Sequence, residues 1–203
     1  AKKNIDAVFK SSGAASCSNL EELFTAGVDK NPNDTIMLRK VINLLTETGC
    51  RDSELYFKTA TYLYHTEPNA SSAAQLAEMN MARKKYNEAE KYYTEAIDLE
   101  TDRTIKSGLL TKLATLELAS DSKQAARDFA KAAYSLDPTN GTALYIIAES
   151  YAGARVGEAF ENQTVYWVVV DYLVKARNID PTLKDQIDER IGIYSRMFPS
   201  KEE

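Results

Sequence analysis

The chain has 203 residues, of which 44% are hydrophobic and 27% charged, and its net charge is −5 at neutral pH. This balance is typical of a folded protein and excludes an intrinsically disordered chain. The basic residues are dispersed among acids, which argues against nucleic acid as a partner. The longest apolar run, at 165–170, is far below the roughly 20 residues that cross a bilayer, so we expect no membrane-spanning segment.

The first segment, 1–34, predicts one clear helix with Leu20, Phe24 and Gly27 on one face, ended by Pro32. A weak helix is predicted before it, because the run Ser-Ser-Gly at 11–13 would end that helix early.

The second segment, 35–69, predicts two helices. Gly49 is a stop signal between them, and Asp52 or Ser53 can cap the second helix, which Pro68 ends. The apolar residues of the two helices recur at helical spacing: Leu38, Val41, Ile42 and Leu45, then Tyr56, Ala60 and Leu63.

The segments 70–103 and 107–140 show the clearest pattern, two helices joined by a polar hinge, which lies at 83–85 in the first of them. Small and aromatic residues alternate in the second helix of 70–103, at Ala89, Tyr93 and Ala96. In 107–140 the corresponding small residues are Ala126, Ala130 and Ala133, and Pro138 follows them. Such alanines let a neighbouring helix approach closely.

The last repeat, 141–183, predicts a first helix, a long hinge at 153–163 and a second helix that begins at Thr164. We expect Trp167 and its neighbouring valines to pack between this repeat and the terminal helix that follows it. A final helix at 184–198 has Ile187, Ile191 and Tyr194 on one side and charges on the other, and is predicted to cap the array.

The segments 70–103 and 107–140 are each 34 residues long. This repeat length, with the Leu and Ala positions and a proline near the end of the repeat, resembles the tetratricopeptide repeat (TPR) family. The resemblance implies an all-α, right-handed superhelix of about five helix pairs with a C-terminal capping helix, one domain over 1–203. In layout, including Cys-Ser-Asn-Leu at 17–20 and Asn-Pro-Asn-Asp at 31–34, the chain also resembles TPR proteins of unassigned function from Bacteroidetes. Those relatives continue past the position of 203, which suggests a fragment of a longer protein.

The family resemblance also implies a function, non-catalytic binding of a peptide or partner protein in a concave groove formed by the first helices. The groove positions of the family fall here on Arg39, Asn43, Glu78, Met81, Thr111, Thr115, Leu118, Tyr145 and Glu149. Arg39 and Asn43 match half of the carboxylate clamp that some family members use, whereas Ala74 and Glu78 do not, so we do not expect capture of a C-terminal carboxylate. A groove with Glu78, Met81 and Tyr145 suits a peptide with basic and aliphatic side chains. A groove without a ligand, or one filled by segments of the protein that lie outside the given sequence, is the open alternative.

A second class of function is a structural or glycan-binding component of a bacterial cell envelope, for which exposed aromatic rings at Phe160, Tyr166 and Trp167 would be the sign. An enzyme is not predicted, because no nucleophile–base pair or phosphate-binding loop is apparent. No metal site and no cofactor are expected either, since the single His65 and two cysteines cannot form a zinc site.

Cys17 and Cys50 are 33 residues apart, and both are predicted to lie in hinges of successive repeats. Neighbouring hinges are adjacent, but a disulfide needs Cα atoms within about 7 Å. A bridge and two free thiols therefore both remain open. A bridge would favour an oxidising compartment, the periplasm or envelope, over the cytoplasm.

Overall fold

A computed structural model of the chain describes residues 15–199, and all regular structure in that range is helical. It contains ten α-helices and two 3-10 helices. The α-helices are α1 (Cys17–Lys30), α2 (Thr35–Glu47), α3 (Glu54–Thr66), α4 (Ala70–Ala82), α5 (Tyr86–Leu99), α6 (Arg103–Ala119), α7 (Lys123–Leu136), α8 (Gly141–Tyr151), α9 (Ala159–Ile179) and α10 (Lys184–Tyr194). The 3-10 helices are Pro181–Leu183 and Ser195–Met197.

The predicted all-α architecture of tandem helix pairs is confirmed. The helices α2 and α3, α4 and α5, α6 and α7, and α8 and α9 form the four described pairs, and α10 follows them. The weak helix predicted before α1 falls largely in 1–14, which lies outside the described residues.

The same local signal starts each first helix of these pairs. Asp34, Asn69, Asp102 and Asn140 stand immediately before α2, α4, α6 and α8, and each side-chain oxygen accepts a hydrogen bond from a backbone N–H of the first turn. Such caps satisfy N–H groups that have no partner inside the helix. The chain therefore marks the beginning of each repeat with a carboxylate or an amide.

The four hinges inside the pairs also share a feature. Each contains one residue with positive φ: Gly49 (78°), Lys84 (57°), Asp121 (60°) and Gly153 (76°). A left-handed residue just after a helix ends it and turns the chain back. The hinges at 83–85 and 120–122 have only three residues, the length of a tight connection between two antiparallel helices.

The contacts divide the chain into two compact units, 1–92 and 93–203. In the first unit α1 packs against α2 and α3, α2 against α3, and α3 against α4. The core that these helices share consists of Leu20, Val28, Leu38, Val41, Leu45, Cys50, Leu55 and Tyr56. The expectation of a single domain over 1–203 stays a prediction.

In the second unit α6 packs against α7 and α8, α7 against α8, α8 against α9, and α9 against α10. Fully buried alanines lie where these helices meet, among them Ala114, Ala126, Ala130 and Ala176. Their small side chains permit the short interaxial distances of about 8–10 Å that packed helices adopt.

Two expectations for the last repeat are wrong. The second helix, α9, begins at Ala159 rather than at Thr164, because Glu158 and Glu161 form a capping box that starts it earlier. Trp167 is not buried in the core: 46% of it is exposed, although its ring meets the Phe198 ring edge-on with centroids 6.3 Å apart. The buried face of α9 contains Val165, Val169, Leu173 and Ala176, and Trp167, two residues from Val165 and from Val169, points away from that face.

Two glycines of the second unit provide a test of how closely its helices pack. A Cβ at Gly141 would lie 2.5 Å from the Cβ of Asp180 and 3.1 Å from the carbonyl oxygen of Ala176, whereas a Cβ at Gly108 would meet nothing within 4 Å. We predict that Gly141→Ala lowers the free energy of unfolding by about 1–3 kcal/mol through overpacking. Gly108→Ala in the middle of α6 should raise it by about 0.5–1 kcal/mol, because alanine favours the helix. Urea unfolding followed by circular dichroism measures both, and equal effects of the two substitutions would contradict this packing.

Candidate functional site: the surface of the first helices

The predicted groove residues of the first unit lie on α2 and α4. Arg39 and Asn43 are exposed on α2, while on α4 Glu78 is exposed and Met81 is half-buried. The guanidinium of Arg39 forms an ion pair with the carboxylate of Glu67, which follows α3. The unit thus presents a polar surface on its two first helices, on which the guanidinium of Arg39 is already paired with a neighbouring carboxylate.

In the second unit, Thr111 has a structural role instead of an exposed one. Its side chain is buried; its hydroxyl donates a hydrogen bond to the carbonyl of Ser107 (2.9 Å) and accepts one from the amide of Asn140 (2.8 Å). Thr115 is exposed, and Leu118 packs partly buried against the core of the unit. Of these three predicted contact residues, only Thr115 has a largely exposed side chain.

The terminal helix α10 engages the other two predicted groove residues, Tyr145 and Glu149. The Tyr194 hydroxyl donates a hydrogen bond of 2.9 Å to one carboxylate oxygen of Glu149. The other oxygen lies 3.3 Å from Nε of Arg190, and the same Nε lies 3.4 Å from the hydroxyl oxygen of Tyr145. Only 10% of the Glu149 side chain is exposed. The part of the predicted groove on α8 is therefore occupied by the chain itself.

These contacts shift the pKa values of both groups on α10. Burial, together with the hydrogen bond to Glu149, raises the pKa of Tyr194 well above its ordinary value. The hydrogen bond with Tyr145 raises the pKa of Arg190. Tyr194 thus stays neutral as a donor and Arg190 stays charged, which are the forms that bind a carboxylate.

Comparison with solved structures reveals a recurring fold. The crystal structure of MamA superimposes with a TM-score of 0.58 and 15% identity, over 83% of this chain and 92% of that one. A MamA fragment from Desulfovibrio magneticus RS-1 gives 0.60 and 13%, over 79% and 82%. YrrB, described as a TPR protein with an unusual peptide-binding site, gives 0.57 and 16%, over 84% and 81%.

The chain has the TPR fold. At 13–16% identity the likeness concerns the fold and not the function of these proteins. No protein-family model and no curated protein matches the sequence. The narrower resemblance to proteins from Bacteroidetes stays a prediction.

A disulfide joins Cys17 and Cys50, whose Cα atoms are 5.4 Å apart. Cys50 lies in the hinge after α2, as expected, but Cys17 is the first residue of α1 and not part of a hinge. The alternative of two free thiols is therefore not what the structure contains. The bridge thus ties the start of α1 to the hinge between α2 and α3.

Among residues 15–199, no group of three or more His, Cys, Asp or Glu side chains is arranged to hold a metal ion. His65 is exposed near the end of α3. No helix in the same range has the length and apolar character needed to span a membrane.

The hydrogen bond between Tyr194 on α10 and Glu149 on α8 should make the stability of the protein depend on pH. Because the folded state raises the pKa of Tyr194 above its ordinary value of 10.0, the stabilisation is complete below pH 10 and declines as the pH rises above it. We predict that Tyr194→Phe lowers the free energy of unfolding by about 1–2 kcal/mol at neutral pH, because the hydrogen bond is lost. Above pH 10 the stability of this variant should fall less steeply than that of the wild type. Tyr86→Phe, at an exposed tyrosine, is the control and should follow the wild type at every pH. If both variants follow the wild type, Tyr194 does not form this hydrogen bond.

The disulfide should contribute to the stability of the first unit. It closes a loop between residues 33 apart in sequence, for which loop-closure entropy gives about 3–4 kcal/mol. We predict that dithiothreitol lowers the denaturation midpoint of the wild type and leaves that of Cys17→Ala/Cys50→Ala unchanged. A reductant effect of the same size on both proteins would show that the bridge is not its cause.

Proposed function

We propose that this protein is a non-catalytic scaffold that binds a peptide or partner protein on the surface of its first helices. The observation that carries the proposal is the TPR fold itself, a tandem of helix pairs in which α2 and α4 bury one face in the core and keep exposed residues on another. YrrB, which shares the fold, is described as having a peptide-binding site, and this supports a peptide or protein as the ligand class.

The contacts of α10 narrow the proposed surface. Tyr145 and Glu149 are bonded to α10, and the hydroxyl of Thr111 is used inside the second unit. The proposed contacts are therefore Arg39, Asn43, Glu78 and Met81 in the first unit, with Thr115 and Leu118 in the second. Each unit is proposed to bind through its own set of these residues.

The side chains on α4 determine the proposed partner chemistry. Glu78 supplies a negative charge and Met81 an adaptable apolar contact on the same helix. The positive charge of Arg39 is matched by Glu67, so the first unit has no unmatched cation at these predicted positions. A peptide that combines a basic and an aliphatic side chain complements this surface.

The disulfide supports a location in an oxidising compartment. Disulfides persist in secreted and periplasmic proteins and are rare in the cytosol. We propose the periplasm or cell envelope, and therefore a partner that is present there.

Peptide selection tests the proposed partner surface. Peptides selected from a random display library against the oxidised protein should be rich in basic and aliphatic residues. Glu78→Lys should weaken their binding about tenfold, since it replaces attraction by repulsion, and His65→Ala on the exposed side of α3 should leave it unchanged. Binding that is indifferent to Glu78→Lys, or selected peptides that are acidic, would refute this surface as the peptide site.

The exposed aromatic residues of α9 favour a second candidate, glycan binding within an envelope assembly. Phe160 and Trp167 are each 46% exposed and lie seven residues apart, on the same face of the helix. Tyr166, the third ring predicted for this role, instead stacks on Tyr194. Trp167 is the only tryptophan, so glycan binding should change its emission, and Phe160→Ala should weaken that response. Unchanged emission across a panel of soluble envelope polysaccharides would exclude this candidate.

A further inference from the structure

A cavity of about 480 Å³ opens between α7, α8 and α9 of the second unit, away from the residues of the predicted groove. Leu144 and Ile147, both buried, give it an aliphatic floor. Tyr134 and Tyr172 also line it, and exposed Lys131 and Lys175 complete its rim, one from α7 and one from α9. Among the described residues 15–199, no carboxylate lines this cavity.

The rim belongs to a larger group of cations held by aromatic rings. The Tyr151 and Tyr172 rings stack with centroids 6.0 Å apart. Cζ of Arg127 lies 4.1 Å from the Tyr151 centroid, with Nζ of Lys131 at 6.0 Å, and Nζ of Lys175 lies 5.5 Å from the Tyr172 centroid. Contacts of this kind attract a cation without neutralising its charge. The rings therefore hold three positive charges in one group, two of which, Lys131 and Lys175, line the aliphatic cavity.

These cations differ from the other paired basic residues of the described chain. Lys58, Arg177 and Lys184 form ion pairs with aspartates, whereas between residues 15 and 199 no ion pair joins Arg127, Lys131 or Lys175 to a carboxylate. Asp171 lies one turn before Lys175 without pairing with it, and Asp128 accepts hydrogen bonds from Gln124. In a chain with a net charge of −5, three adjacent unmatched cations form a localised positive surface.

The geometry points to a second interaction site here, one that binds an acidic polypeptide segment by placing an aliphatic side chain on Leu144 and Ile147 while flanking carboxylates meet Lys131 and Lys175. Charge complementarity and an apolar anchor point are the two features that such recognition uses. A single-stranded nucleic acid fits less well, because it needs free ring faces for its bases, and the faces of Tyr151 and Tyr172 already contact cations and each other. The site does not depend on the first-helix surface.

The test uses the whole oxidised protein and a fluorescein-labelled peptide with one central leucine flanked on both sides by glutamates. Fluorescence anisotropy should show saturable binding. Lys131→Glu/Lys175→Glu should weaken it at least about tenfold, whereas Lys30→Glu/Lys40→Glu, with the same change of net charge on the first unit, should alter it less than about twofold. Replacing the leucine of the peptide by glycine should weaken binding about fivefold or more. If the charge-reversed variant does not fold, as judged by circular dichroism, Lys131→Gln/Lys175→Gln replaces it, with a smaller loss in the same direction.

Several results would overturn the proposal. Absence of saturable binding would refute the site. An equal loss of affinity in the two charge-reversed variants would show that only the overall charge of the protein matters. If replacing the leucine of the peptide does not change the affinity, the cavity takes no part in binding. Displacement of the peptide by a short single-stranded oligonucleotide that itself binds more tightly would assign the surface to nucleic acid. If the wild type self-associates in sedimentation velocity and Lys131→Glu/Lys175→Glu abolishes this, the occupant is a second copy of the chain. These measurements do not depend on whether the surface proposed around Glu78 and Met81 binds peptides in the selection experiment.

Discussion

Close approach of helix backbones is the constraint on which the structure depends. Within the second unit, alanines are fully buried on four of its helices: Ala114, Ala126, Ala130, Ala133, Ala143, Ala148 and Ala176. Each occupies a position where a larger side chain would separate two helices, and interiors packed to crystal-like density do not absorb such a change. Burial of leucine and isoleucine beside these alanines provides the main favourable free energy, but the alanines determine which helix faces can meet. The Asp and Asn residues that cap the first helices, and the hinge residues with positive φ, then direct each helix into that contact.

The terminal helix connects this packing to the proposed binding surface. Buried Ile187 and Tyr194 place α10 against the core of the second unit, and the same placement brings Arg190 and the Tyr194 hydroxyl to Glu149. A buried carboxylate is tolerable only with such partners, because unpaired it would carry a large desolvation cost. As a result, α10 covers the positions on α8 at which TPR proteins would bind a ligand, while the corresponding surfaces of α2 and α4 are exposed.

Much of the fold was predictable from the sequence, because the helix pairs depend on local signals. The apolar stripe of 35–69, the hinge at 83–85 and the alanines at 126, 130 and 133 predicted helices that the structure contains. One error is local, since the capping box of Glu158 and Glu161 starts α9 earlier than predicted. The other errors concern long-range contacts. Trp167 looked buried because valines surround it in sequence, and only the packing partners of α9 reveal which face is covered. Glu149 and Tyr194 are 45 residues apart, and no spacing rule foretells that they meet. The unmatched cations of α7 and α9 have ordinary polar positions in sequence and become a group only when those helices pack around α8.

The most direct test of this account is site-specific photo-cross-linking with benzoylphenylalanine, which retains an aromatic ring. It would be placed at position 43 on α2 or at position 145 on α8, in the presence of a peptide selected for binding. The account predicts a cross-link to the peptide from position 43 and an internal cross-link to α10 from position 145. Equal cross-linking of the peptide from both positions, with no internal product, would show that α10 does not cover α8 and would contradict the account.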